Sequence, residues 1–195
     1  MEIKEIEKFL IEMGIKIARS GKGALFVIKK GELKYSNLFP QDIPQFNIFK
    51  EPRRFELLAI QDGAMIIDLN GNLLSYCANI EDVKTIQGFG TRHVAASTAS
   101  MNNTVILVSE EEKKIRVFEK GGIVMQIDAL EKGVEKRSSE IADLLESLGV
   151  GALSVMGGTA LGIAGVALMP GVVVFGGIYW IIKKLLNKVP DETKQ

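Results

Sequence analysis

The sequence predicts an α+β fold, a mixed central β-sheet flanked by helices, with a hydrophobic helical segment at its C-terminal end. Three observations predict it. Ile3, Ile6, Phe9, Leu10, Met13 and Ile17 recur at helical spacing. Short apolar runs bounded by Gly, Asn or charged residues follow, which is the pattern of strands. No charged residue stands between Glu146 and Lys183, and no ordinary surface helix looks like that.

Taken in order, the first segment is an amphipathic helix that ends before Ser20-Gly21 and packs on a sheet. Ala24 to Ile28 reads as a strand, and Lys30-Gly31 followed by Leu33 and Tyr35 suggests a hairpin return. Asn37 to Pro52 carries three of the five prolines and reads as a loop with at most a short helix. After the apolar run Phe55 to Ile60, Ala64 to Leu69 reads as a strand that turns at Asn70-Gly71 into Leu73 to Ala78. That pair suits a type I′ turn, which requires positive φ at both central residues. Arg92 to Ser100 reads as a short helix opened by Gly88-Phe89-Gly90-Thr91. Thr104 to Val108, Ile115 to Phe118 and Ile123 to Ile127 are three further strands, and Ala129 to Leu148 is helical again. The predicted units are a core over residues 1–130, a connecting helix over 131–147, a hydrophobic segment over 148–183 and a polar tail over 184–195.

Composition narrows the function. Lys+Arg and Asp+Glu both number 24, so no whole-molecule field draws in nucleic acid, and any anion site must be local. Cys77 is the single cysteine, which excludes an internal disulfide and suits a small buried residue. Met1 to Lys8 alternates charged and apolar residues, unlike a signal peptide.

Three short motifs could carry chemistry. Asp62-Gly63-Ala64 sets a carboxylate before a strand, beside a glycine that permits close approach to the backbone; an isolated pair of this kind is most often a plain turn. Gly90-Thr91-Arg92-His93 opens a helix, where backbone N–H groups, a hydroxyl, a guanidinium and an imidazole could converge on a phosphate; the bland alternative is Thr91 as an N-cap. His93 is the single histidine, so any mechanism needing imidazole must use it. Ser109-Glu110-Glu111 ends a strand, and its carboxylates could join Asp62 on a hard cation, although the run Glu110 to Lys114 also reads as an exposed charged turn.

The order of these motifs resembles the signature of the diadenylate cyclase family: Asp-Gly-Ala, then Gly-Thr-Arg-His-Arg, then Val-Ser-Glu-Glu. Gly23-Ala24-Leu25 is similar to the family's early Gly-Ala-Leu strand, and the resemblance spans roughly residues 20 to 128. Two positions depart from it, Val94 where many members have arginine and Gln61 where many have histidine. The resemblance implies that two ATP molecules condense to cyclic di-AMP and two pyrophosphates, with Mn²⁺ or Mg²⁺, between two subunits placed face to face. It implies Asp62 as metal ligand and partner of the 3′-hydroxyl, Gly63 and Ala64 at the nucleotide, and Gly90, Thr91, Arg92, His93 and Ser109 at the phosphates. Glu111, with Glu110, would complete the metal shell. A nucleotide sensor without turnover, or a membrane protein whose soluble domain recruits partners, are the alternatives.

ATP as substrate implies a cytoplasmic catalytic domain. The uncharged segment then predicts membrane association through a helical hairpin or re-entrant pair that turns at Pro170-Gly171 and returns Lys183, Lys184 and Lys188 to the cytoplasmic side. The alternative is a hydrophobic arm buried in a soluble oligomer.

Overall fold

A computed structural model describes residues 2–83, 90–151 and 170–174 of the chain. Its elements run α1 (Ile3–Arg19), β1 (Ala24–Ile28), β2 (Tyr35–Asn37), α2 (Pro52–Ala59), β3 (Ala64–Ile67), β4 (Leu73–Ile80), α3 (Thr91–Ala99), β5 (Thr104–Val108), β6 (Lys114–Glu119) and β7 (Gly122–Asp128). A 3₁₀ turn (Val134–Arg137), α4 (Ser138–Gly151) and β8 (Val172–Val174) follow. The strands form one sheet in the order β2-β4-β3-β1-β5-β6-β7-β8. β1 and β3 are parallel, and the other described pairs are antiparallel. The α+β class and mixed central sheet are as predicted.

Helices cover both faces. β1, β3 and β5 are buried at every residue, which is why, Thr104 apart, they read as apolar runs. The pleat divides them: Phe26, Ile28, Ile106 and Val108 join the core under α1, α2 and α4, whereas Leu25, Val27, Val105 and Leu107 join Ala96 and Ala99 of α3. On α1, Ile6, Leu10 and Ile17 are at most 1% exposed, each worth roughly 1.5–3 kcal/mol of burial. Gly14 lets that helix approach the sheet, since a Cβ there would stand 3.3 Å from Val108 Cγ2. α4 seals the outer side of α1 through the Lys4–Asp143 ion pair and a 2.6 Å hydrogen bond from Ser138 to Glu12.

Four expectations are corrected. Tyr35–Asn37 does not return along β1; it pairs with β4, Tyr35 opposite Ile80, and forms the far edge of the sheet. At Asn70-Gly71 only Gly71 has positive φ, +77°. The turn is organised instead by Asp68, whose Oδ1 accepts the N–H groups of Asn70 and Asn72 at 2.8 and 2.7 Å. Residues 129–133 are not helical, and Gly133 at φ +79° starts the 3₁₀ turn that leads into α4. Finally, Pro170-Gly171 does turn, but Val172–Val174 pairs with β7, Val172 opposite Ile127, rather than beginning a second helical arm. Hydrogen bonds of 2.7 Å from Asp128 N–H to the Gly171 carbonyl and 3.3 Å from Arg137 to the Pro170 carbonyl hold this return. Among the described residues no helix is long and apolar enough to cross a membrane. The rest of the proposed hairpin, and the polar tail, lie outside the described residues.

Candidate active site

The antiparallel register sets Ala24 opposite Val108, and the parallel register sets Phe26 beside Met65. The start of β1, the end of β5 and the start of β3 therefore meet at one end of the sheet, under the N-terminus of α3. All three sequence motifs converge there.

Arg92 joins them. Its Nη2 lies 3.4 Å from Asp62 Oδ1. Its Nη1 lies over Gly23, where a Cβ would stand 2.4 Å from that nitrogen, 3.2 Å from the Val108 carbonyl oxygen and 3.5 Å from Glu110 Cβ. The guanidinium thus reaches Asp62, just before β3, and lies over Gly23, just before β1, which itself sits beside the end of β5. The Asp62 side chain is 84% exposed and that of Arg92 40%, so the pair contributes little to stability and is accessible to a ligand. An oxygen-only donor set of Asp62, Glu110 and Glu111 suits a hard divalent cation, and all three residues are exposed. Among the described residues, no three His, Cys, Asp or Glu side chains form a group that could hold a metal ion.

Gly63 has a physical reason to be glycine. Its φ is +97°, and a Cβ would lie 2.6 Å from the carbonyl carbon of Cys77, so the close approach it permits is that of β4. Cys77 is buried as predicted, and burial, followed by the charge of Asp62, pushes its thiol pKa up. Ala64 is 1% exposed, so the nucleotide contact expected of it has almost no surface to use. Gly90, not Thr91, is the N-cap of α3, and among the described residues a Cβ added to it would meet nothing within 4 Å. Thr91 is exposed at the first helical position.

Ser109 closes the β5–β6 turn: its N–H donates to the Lys114 carbonyl at 2.8 Å and its Oγ accepts the Glu112 N–H at 3.2 Å. Glu110 and Glu111 project from this turn, so the charged-turn reading and the site reading describe the same residues. His93 faces β6, where Arg116 Nη1 lies 2.9 Å from its Nε2 and the ring meets Phe118 edge-on. Burial first, then the Arg116 charge, lower its pKa below the usual 6.5, with Glu112 opposing. Val94 is 4% exposed and directed inward.

Sequence reasoning missed Arg116 and the role of Gly23. Arg116 was detectable as a charge within an apolar strand, opposite in phase to the buried Ile115 and Val117. The closeness of Gly23 to Arg92 had no sequence signal, because it depends on the register of β1 with β5. Two clefts of about 210 and 250 Å³ lie elsewhere, one beside Lys34, Asp82 and Asn102, the other beside Gln41, Pro44 and Tyr76.

With this geometry in place, comparison with known proteins decides the family. Residues 14–123, more than half of the chain, match the family described as DisA bacterial checkpoint controller nucleotide-binding. This chain belongs to that family. A diadenylate cyclase of Methanocaldococcus jannaschii is 32% identical over 140 residues, covering 65% of this chain and 45% of the relative. A diadenylate cyclase of Haloferax volcanii is 30% identical over 147 residues, covering 65% and 52%. The chain spans about half the length of these curated relatives. Among solved structures, a hypothetical membrane spanning protein from Bacillus cereus shares 19% identity at a TM-score of 0.47, covering 59% of this chain and 60% of that one. DacA from Staphylococcus aureus shares 20% at 0.43, covering 73% and 95%. The family's nucleotide-binding segment contains Gly23, Asp62, Arg92 and Ser109, the residues gathered at the end of the sheet.

Proposed function

We propose that this chain is a diadenylate cyclase that condenses two ATP molecules into cyclic di-AMP and two pyrophosphates. The observation that carries this reading is the placement of Arg92 against both Asp62 and Gly23, within the segment that matches the family. In the reaction the 3′-hydroxyl oxygen of each ATP attacks the α-phosphorus of the other. A P–O bond forms, the bond to the pyrophosphate oxygen breaks, and the hydroxyl proton leaves.

Arg92 would hold phosphoryl oxygens as charge develops on them, joined by Thr91 and the N–H groups exposed at the start of α3. Asp62 would position the 3′-hydroxyl and accept its hydrogen bond. A bound Mn²⁺ or Mg²⁺ would lower the hydroxyl's pKa and neutralise phosphate charge. Asp62 and phosphate oxygens would hold it, and Glu111 with Glu110, which the described residues do not gather with Asp62 into one metal group, would join only once the nucleotide is bound. Because Asp62, Thr91, Glu110 and Glu111 are exposed at the motif end of the sheet, a second subunit face to face would cover them and bring the other ATP into line. That arrangement makes specific activity rise with protein concentration.

One observation favours a second reading, a domain that binds the nucleotide without turnover: Val94 presents a buried apolar side chain in the turn of α3 that carries Arg92 and His93. Incubating the purified chain with ATP and Mn²⁺ or Mg²⁺ separates the two, since only a cyclase releases pyrophosphate.

We also propose that the uncharged run from 147 to 182, apart from Pro170 to Val174 held at the sheet edge, associates with a membrane while the catalytic domain stays in the cytoplasm. Fractionation that leaves the detergent-free protein wholly in the soluble phase would contradict this.

A further inference from the structure

The side chain most thoroughly tied down near the site belongs to Arg116, a residue to which no role has yet been given. It is 8% exposed, on the α3 face of β6. Its Nε donates to Gln126 Oε1 at 3.1 Å, its Nη2 to Glu112 Oε2 at 2.5 Å, and its Nη1 stands 2.9 Å from His93 Nε2. The partners fix the guanidinium from three directions. Gln126 sits directly opposite on β7, and Glu112 reaches in from the β5–β6 turn that also carries Ser109 and Glu110.

A guanidinium donates hydrogen bonds and accepts none, and it keeps its charge at any pH a protein survives. At 2.9 Å the ring nitrogen facing it must therefore be the acceptor. That assigns the tautomer: His93 is neutral, with its proton on Nδ1. Among the described residues, the charged groups that act on the ring include Arg116 of β6 and Glu112 of the preceding turn. Glu112 is already held by Arg116, which also keeps its carboxyl below the usual range.

We propose that Arg116 is a positioning residue for the reaction: it fixes the His93 ring in orientation and tautomer, through an array anchored by Glu112 and Gln126, one residue from the phosphate-binding Arg92. The proposal rests on the cyclase reading for its effect on turnover, but the ring state it assigns does not depend on that reading. Its consequence is that His93 serves the site as a neutral imidazole, while the positive charge facing the phosphates comes from Arg92.

The single histidine makes the test direct. In the full-length chain labelled with ¹⁵N-histidine, both ring-nitrogen signals belong to His93. Above pH 7 the wild-type chain should show the Nδ1–H form alone. In Arg116→Met the Nε2–H form should appear, kcat for cyclic di-AMP should fall about 10- to 100-fold, and the KM for ATP should stay within about 3-fold, as expected when a reacting group is misplaced rather than removed. Arg116→Lys keeps a charge and a donor but cannot reach three partners, so it should restore part of both signals; it also supplies the readout if Arg116→Met fails to fold. A wild-type ring carrying its proton on Nε2, or folded variants with unchanged ring state, would overturn the assignment. Changed ring state with unchanged kcat would overturn the positioning role while leaving the cyclase reading intact. Absence of cyclic di-AMP from a wild-type chain with the assigned ring state would overturn the cyclase reading instead.

Discussion

The guanidinium of Arg92 rests on the backbone of Gly23, near enough that a single added methyl would meet Nη1 at 2.4 Å. Since Arg92 ends in a flexible side chain, Gly23→Ala should displace it from Asp62 rather than unfold the protein. The expected outcome is a thermal unfolding midpoint within a few degrees of wild type and a fall in cyclic di-AMP synthesis of roughly 10-fold or more. Full activity in a folded Gly23→Ala protein would remove the Arg92 arrangement from the mechanism.

Gly63 should respond differently. There the added methyl meets backbone atoms of Cys77, at 2.6 and 2.8 Å, and must also adopt a φ of +97°. Neither neighbour can rotate away, so Gly63→Ala should cost about 3 kcal/mol or more in denaturant-induced unfolding. A loss below 1 kcal/mol would show that β3 and β4 can part at this point without penalty.

Glu7 supplies a pH signature. Its side chain is buried on α1, Oε2 has no hydrogen-bond partner among the described residues, and Lys30 Nζ stands 3.9 Å from Oε1. Burial raises its pKa from 4.5 to about 7, against the opposing charge of Lys30. The folded state therefore holds the proton more tightly than the unfolded chain, and stability falls as pH rises from 4.5 to 7 and is flat beyond either limit with respect to this group. The loss over that window is on the order of 3 kcal/mol. Glu7→Gln should abolish this slope in unfolding free energies measured between pH 4.5 and 8. An unchanged slope would place the titration elsewhere.

β8 predicts a cost for shortening the chain. Ending it at Gly151 removes Val172–Val174 and leaves β7 as an edge strand with its Met125, Gln126 and Ile127 partners gone. Exposed edges of this kind template association with other chains. The shortened protein should show concentration-dependent light scattering and a lower unfolding midpoint, which replacing Val124 with lysine at the new edge should partly relieve. A fully monodisperse shortened protein of unchanged stability would mean that β8 adds nothing to the sheet.

Legibility in the sequence followed the range of the interactions. α1, β1, β5 and the helix after Gly90 were readable because apolar spacing and turn residues are local signals. The partner of Tyr35–Asn37 was not, since pairing with β4 is decided by a contact 45 residues away that carries no local mark. Asn70-Gly71 misled because Asp68, two residues upstream, captured the turn with its carboxylate. In the tail, Val172 to Val174 did not read as a strand because a run of Val residues suits an edge strand as well as a membrane segment. At the site, Asp62, Arg92, His93 and Ser109 were marked by motif order, whereas Arg116 and Gly23 acquire their meaning only when β1, β5 and β6 lie side by side.

Mass analysis of the products formed by the purified full-length chain with ATP and Mn²⁺ or Mg²⁺, run beside Asp62→Asn, tests the cyclase reading most directly. The wild type should yield cyclic di-AMP with two pyrophosphates per product. Asp62→Asn should remain folded and lose about 10²- to 10³-fold in rate, the usual consequence of removing one group that stabilises charge in a transition state. ATP binding by the wild-type chain without cyclic di-AMP under either metal, or equal turnover by folded Asp62→Asn, would contradict it.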